Sequence, residues 1–288
     1  MLAACAWGTG WLLRHLLPGL AARLKANATG TREPVLASIS EGLGVIVLFV
    51  AVFVMSRVEK RRFTGYGLAT SAGSLRRCGF GIAIGLLGVT LQVGMIAAGG
   101  GYSIQGLALS GAAAIKCGLL WARLCVLVAV FEENFFRGYL QATLADGFGF
   151  WPAALLLALG FAAFHIPNAG ETWPGIAMLF CFALLAAFTL RRTGELWFIM
   201  GLHAAWDWAH VFLFSVPIAG TSGKGHLLET RLHGPQWLTG GSAGPDGSVF
   251  AFVVLAVIAL LVQLVFARGK DDTGPQPAAS QAIPGERA

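Results

Sequence analysis

Seven apolar stretches, most of them close to the length at which a helix crosses a bilayer, follow one another along this chain and leave it few folds to choose from. They run from Val35 to Met55, Cys78 to Ala98, Gly111 to Leu144, Trp151 to Ile166, Trp173 to Leu190, Leu196 to Val216 and Val249 to Ala267. A hydrocarbon core about 30 Å thick takes about 20 apolar residues as a helix, and inside it every backbone N–H and C=O must be bonded within the protein. The expected fold is therefore all-α, a polytopic membrane bundle of about seven helices within a range of about six to eight. Composition points the same way: 56% of residues are hydrophobic and 12% charged, whereas soluble domains carry charge on about a quarter.

Residues 1–34 read as an N-terminal segment, an interfacial helix or an additional span, because Leu2 to Leu13 is apolar but Arg14, His15 and Pro18 interrupt it. Residues 35–267 form the bundle, and the polar tail 268–288 is expected to be disordered. Basic residues cluster at Arg57 to Arg62, Arg76–Arg77, Arg191–Arg192 and Arg268–Lys270, which seven spans place on one side, the cytoplasmic one. Arg14, Arg23, Lys25 and Arg32 then fall on the far side, together with the long connection Pro217 to Ser248. The net charge of +6 arises from these short clusters, so topology accounts for it and nucleic acid is excluded as a partner. The five cysteines include no CxxC pair and read as packing residues. No internal repeat of the kind found in inverted-repeat transporters is present.

Ionisable groups are costly inside such a bundle, and this chain places them on three of its helices. Glu132 and Glu133 adjoin in CVLVAVFEENFFRGYL. Glu133 and Arg137 are spaced i to i+4, the favourable orientation for an ion pair, while Glu132 points about 100° away and is free to face a cavity. His165 follows Phe161 by four residues in GFAAFHIPN, just before a proline that ends or kinks the helix. His203 and Asp207 in GLHAAWDWAH share a helix face, and His210 lies near it. Taken singly, these are a polar clasp between helices, a packing histidine and a His–Asp bond, and for His210 that plain role is preferred. Taken together, two imidazoles and a carboxylate can polarise a water for hydrolysis or hold a Zn²⁺ with an open position. A proton- or ion-coupled transporter is the reading from another class.

The order and spacing of these groups carry a resemblance: EENFFR matches EExxxR, FAAFH matches FxxxH and HAAWD matches HxxxN/D. The chain resembles the CPBP family of intramembrane proteases, also called the CAAX protease and bacteriocin-processing, or Abi, family. The resemblance implies a membrane-embedded endopeptidase, in a bacterial inner membrane, acting on a membrane-associated protein or peptide within the lipid bilayer. It implies that Glu132 and His165 activate the attacking water, that His203 and Asp207 contact the oxyanion or shape the site, and that Glu133, Arg137 and Phe161 support it. Members are called metalloproteases by convention, and if a zinc is bound Glu132, His165 and His203 are its ligands; a metal-free mechanism with glutamate as base is also argued for the family. Prenyl-protein-processing relatives carry Asn where this chain has Asp207, and an ionised Asp there repels an oxyanion. Asp207 is then protonated, orients His203 or helps bind a cation. A catalytically silent scaffold or immunity protein is the alternative within the family.

Overall fold

The computed structural model describes residue 15, residues 17–29 and residues 31–266. The expectations for residues 1–14 and for the tail 268–288 lie outside the described residues. A short helix, α1 (Pro18–Thr29), precedes the bundle. Each of the expected stretches contains a helix: α2 (Pro34–Val58), α3 (Ser74–Ala98), α4 (Gly111–Glu133) with its continuation α5 (Gln141–Phe148), α6 (Phe150–His165), α7 (Trp173–Thr193) and α8 (Trp197–Trp208). After a single turn, α9 (Gln236–Thr239), the last helix is α10 (Val249–Val265). Four of these, α2, α3, α4 with α5, and α7, are long and apolar enough to cross a membrane, while α6 and α10 are shorter apolar helices. The protein is a helical integral membrane protein.

Local signals set the helix ends. Glu33 caps α2, its carboxylate accepting from the N–H groups of Val35 and Leu36 ahead of Pro34. Thr172 caps α7, and Gly194 ends it in the left-handed region at φ 72°. These are the side-chain acceptor and the αL residue that helix termini demand.

The outer surface carries large aliphatic side chains such as Ile46, Leu87, Leu119, Leu159 and Leu260, which suits a lipid solvent, and small residues pack the interior. The closest helix pair is α3 against α8. A Cβ on Gly81 would run into the Phe198 carbonyl, and one on Gly201 into the Cys78 carbonyl, so the backbones touch only because both positions are glycine. Around this pair, Phe161, Met178, Phe182, Leu202, Trp206 and Ile258 form the main core.

Charged contacts mark one end of the bundle. Arg61 pairs with Asp146, Arg77 with Glu195 at 2.5 Å, and Arg192 donates to the Gln263 carbonyl at 3.0 Å. Connections gather at the other end and include the one addition to an all-α architecture. There β1 (Tyr102–Leu107) pairs antiparallel with β2 (Leu228–Leu232), from Tyr102↔Leu232 to Leu107↔Leu228. Residues 214–248 fold back into the bundle instead of looping away from it: Gln92 donates to the Pro245 carbonyl at 2.7 Å, and Gly170 N–H to Gly220 O at 3.0 Å.

Candidate active site

The last turn of α4 delivers the two glutamates and then stops being α-helical. Residues Asn134–Leu140 form a π-helical turn, and α8 likewise passes into a π-turn at Ala209–Leu213, two residues beyond Asp207. Such wider turns re-aim the side chains around them and recur at functional sites. Asn134 Nδ2 donates to the Val130 carbonyl at 2.7 Å across the junction.

The two adjacent acids have different surroundings. Glu133 is fully buried, accepts from His203 Nδ1 at 2.7 Å and stands 3.5 Å from Arg137 Nη1. Glu132, with 12% of its side chain exposed, reaches the cavity, its Oε2 lying 3.8 Å from His203 Nε2. Asp207 Oδ2 is 3.7 Å from the same nitrogen. Glu133 is therefore more than a brace for Arg137. It is the carboxylate that fixes the His203 ring, a task the helix spacing had offered to Asp207. With Nδ1–H held by Glu133, His203 turns Nε2 toward Glu132 and Asp207.

His165 arrives by a different route. Helix α6 has 16 residues and is about 24 Å long, too short for a bilayer core of about 30 Å, so its C-terminus ends inside the bundle. Its Nδ1 donates to the Phe161 carbonyl at 2.8 Å, which leaves Nε2 as the free acceptor. Phe161 ties the two sides together: the Arg137 guanidinium lies over its ring at 4.4 Å, and the His165 ring centroid is 4.8 Å from it. Phe182 continues this aromatic wall, edge-on to His203 at 5.1 Å.

Glu132, Phe161, His165, His203 and Asp207 line one cavity of about 70 Å³. Two charged residues far away in sequence line it too, Arg32 and Asp246. Asp246 is buried in the 214–248 connection, where it accepts from Trp206 Nε1 and from the Ala219 amide, both at 3.2 Å. Ala219 itself has φ 44° and accepts from Asn168 Nδ2 at 2.8 Å, which pins the α6–α7 turn to this connection. His210 is buried behind the site, its Nδ1 donating to the Trp206 carbonyl at 2.9 Å, with Asp246 3.8 Å from its Nε2.

Among the described residues no three His, Cys, Asp or Glu side chains are arranged to hold an ion. Among the described residues His165 has no carboxylate oxygen within 4.0 Å of its ring nitrogens, while the Nδ1 bonds of His165 and His203 leave both Nε2 atoms open. The zinc set of Glu132, His165 and His203 is thus not assembled in this geometry.

Residues 114–209 match the model of the Rce1-like family, type II CAAX prenyl endopeptidases. That segment is similar to the Rce1-like family. It contains Glu132, Glu133, Arg137, Phe161, His165, His203 and Asp207, whereas Arg32 and Asp246 lie outside it. The family that this segment resembles is one of prenyl endopeptidases. No curated protein and no solved structure matches the chain.

Proposed function

We propose that the protein hydrolyses a peptide bond in a membrane-associated protein or peptide, using water activated by Glu132 and His165. The observation that carries this reading is that four polar side chains from three Rce1-like helices line a single cavity. Glu132, like Asp207, faces the cavity and has no hydrogen-bond partner among the described residues, and the proposal takes Glu132 as the general base. The free Nε2 of His165 accepts the second hydrogen of the same water and aims its oxygen at the substrate carbonyl.

In the proposed step the water oxygen bonds to the carbonyl carbon and its proton passes to Glu132. The oxyanion that forms meets Nε2–H of His203, whose ring the proposal takes as doubly protonated with its charge balanced by Glu133, and the protonated Asp207. Three carboxylates around one imidazole cannot all stay ionised at low cost, and the reading gives Asp207 a proton, so that it donates to the oxyanion instead of repelling it. The C–N bond then breaks as the proton on Glu132 moves to the leaving nitrogen, giving an amine and a carboxylic acid whose remaining water proton passes to His165 Nε2 to leave the carboxylate. Glu133, held by Arg137, keeps the His203 ring in place throughout. The proposed step is written without a metal.

The test is a comparison of membrane-associated peptides and proteins in cells carrying wild type, Glu132→Gln or His165→Ala. Both variants are expected to accumulate the same uncleaved species. If either variant processes that species at the wild-type rate, the assignment fails.

A further inference from the structure

We propose that Asp246 is a positioning residue, which sets where His165 stands relative to α8 by joining Trp206 to the turn that follows α6. The proposal rests on the endopeptidase reading for the work of His165 and on other residues for its evidence.

His165 is the last residue of α6, and among the described residues the hydrogen bond and ring contacts of its side chain stay on that helix. Its Nδ1 donates to the Phe161 carbonyl at 2.8 Å, and its ring stands 4.8 Å from that of Phe161 and 5.8 Å from that of Phe164. These contacts orient the ring on α6. They leave its distance from His203 and Asp207 on α8 to helix packing and to the backbone that follows, where Pro167 stops the helix. Helix ends fray, so the last residue keeps its place only if the next turn is tied down.

A continuous line of hydrogen bonds supplies that tie. Trp206, the neighbour of Asp207, donates from Nε1 to Asp246 Oδ1 at 3.2 Å, and the Ala219 amide donates to Oδ2 of the same carboxylate at 3.2 Å. Ala219 O accepts from Asn168 Nδ2 at 2.8 Å, and Asn168 N–H donates to the His165 carbonyl at 3.0 Å. Asp246 is buried at the middle of this line, on a turn fixed by Gln92 Nε2 and Ser248 N–H, which both donate to the Pro245 carbonyl.

The chemistry of the link calls for a carboxylate. It offers two oxygens that only accept, and two donors from different segments meet them. Ala219 has φ 44°, a region unfavourable to any residue with a Cβ, so the bonds at its N–H and C=O hold a backbone that would otherwise relax. Asp246 lines the catalytic cavity but lies outside residues 114–209, so the connection supplies what the matched segment does not.

The experiment uses full-length protein in lipid nanodiscs with ¹⁵N-labelled histidine, comparing wild type with Asp246→Asn, Asn168→Ala and the double variant. Asp246→Asn removes one of the two acceptors, and its amide can donate to His210 Nε2, which has no hydrogen-bond partner among the described residues and lies 3.8 Å from Asp246 Oδ1. Asn168→Ala cuts the line on the other side of Ala219, in a half-buried turn, and serves as the test if the first variant does not fold. Ring resonances of His165, identified by their loss in His165→Ala, are expected to shift in both variants, while those of His203, held by Glu133, stay in place. The kcat for peptide cleavage should fall about tenfold or more with KM within about twofold, and the double variant should lose no more than the larger single loss. Unchanged His165 resonances in a folded variant overturn the proposal, as do a wild-type kcat in either variant or additive losses in the double variant. If His165 shifts but wild type cleaves no peptide, the endopeptidase reading fails and the positioning of His165 by Asp246 stands.

Discussion

The Glu133–Arg137 pair gives the sharpest energetic prediction, because both side chains are at most 2% exposed and have few other partners. Arg137 Nη1 and Nη2 and Glu133 Oε2 make no hydrogen bond in the protein, so the guanidinium depends on Glu133 at 3.5 Å and on the Phe161 ring at 4.4 Å. At that separation, two unit charges attract by about 5 kcal/mol with an effective dielectric constant of about 20. Glu133→Gln keeps an acceptor for His203 Nδ1 but removes the charge, stranding a buried cation at an expected cost of about 3–5 kcal/mol. Arg137→Met strands the anion at a similar cost. The double variant leaves neither charge unpaired and should cost less than either single change, below about 2 kcal/mol. Unfolding of the three purified variants in mixed detergent micelles measures this. Additive losses, or a Glu133→Gln loss under about 1 kcal/mol, would refute the claim that these groups are buried as a mutually dependent pair.

Other outcomes follow from the same geometry. If Asp207 donates to the oxyanion, Asp207→Asn should keep the cleavage rate within about tenfold, whereas Asp207→Ala should lose about 100-fold or more, as loss of an oxyanion donor does; equal rates for the two variants contradict the role. Glu171, in the turn between α6 and α7, is pushed up to about 7 from 4.5 by burial, reinforced by Asp246 and opposed by the Thr172 N–H. The folded state then holds this proton more tightly than the unfolded one, so this group's contribution to stability falls as pH rises from 4.5 to about 7 and is flat above. Melting profiles between those pH values should slope less in Glu171→Gln than in wild type, and parallel profiles exclude the effect. Because the cavity donors do not assemble a metal set, a strong chelator should leave cleavage unchanged in assays of purified protein; loss of activity restored by added Zn²⁺ overturns that expectation.

The helices were legible because the bilayer sets their length: apolar stretches near the required size, ended by Pro34, Thr172 and Gly194, leave little choice. The contact of α3 with α8 also left a trace, since Gly81 and Gly85 are spaced by four in an apolar run, a close-packing pattern in membranes. The π-turns after Glu133 and Trp208 left none, because nothing in NFFRGYL or AHVFL departs from ordinary helical composition. They decide which atoms meet, and so the Glu133–His203 bond replaces a simpler pairing of His203 with Asp207. The connection from Pro217 to Ser248 returns to the cavity through positive-φ residues Ser215 and Ala219 and through glycines at 220, 240 and 244, none of which follows a helical or strand period. Asp246 and Arg32 were hidden for that reason: one lies in a glycine-rich turn, the other before a capped helix, and only the tertiary fold brings them to the acids.

The central claim is that Glu132 activates the water that cuts the chain. The most direct measurement incubates purified protein in proteoliposomes with a cleaved peptide in ¹⁸O-labelled water and follows label in the new carboxylate by mass spectrometry. Wild type should place one labelled oxygen in that carboxylate, and Glu132→Gln, with an unchanged melting temperature, should form no product. Product from Glu132→Gln at the wild-type rate contradicts the account.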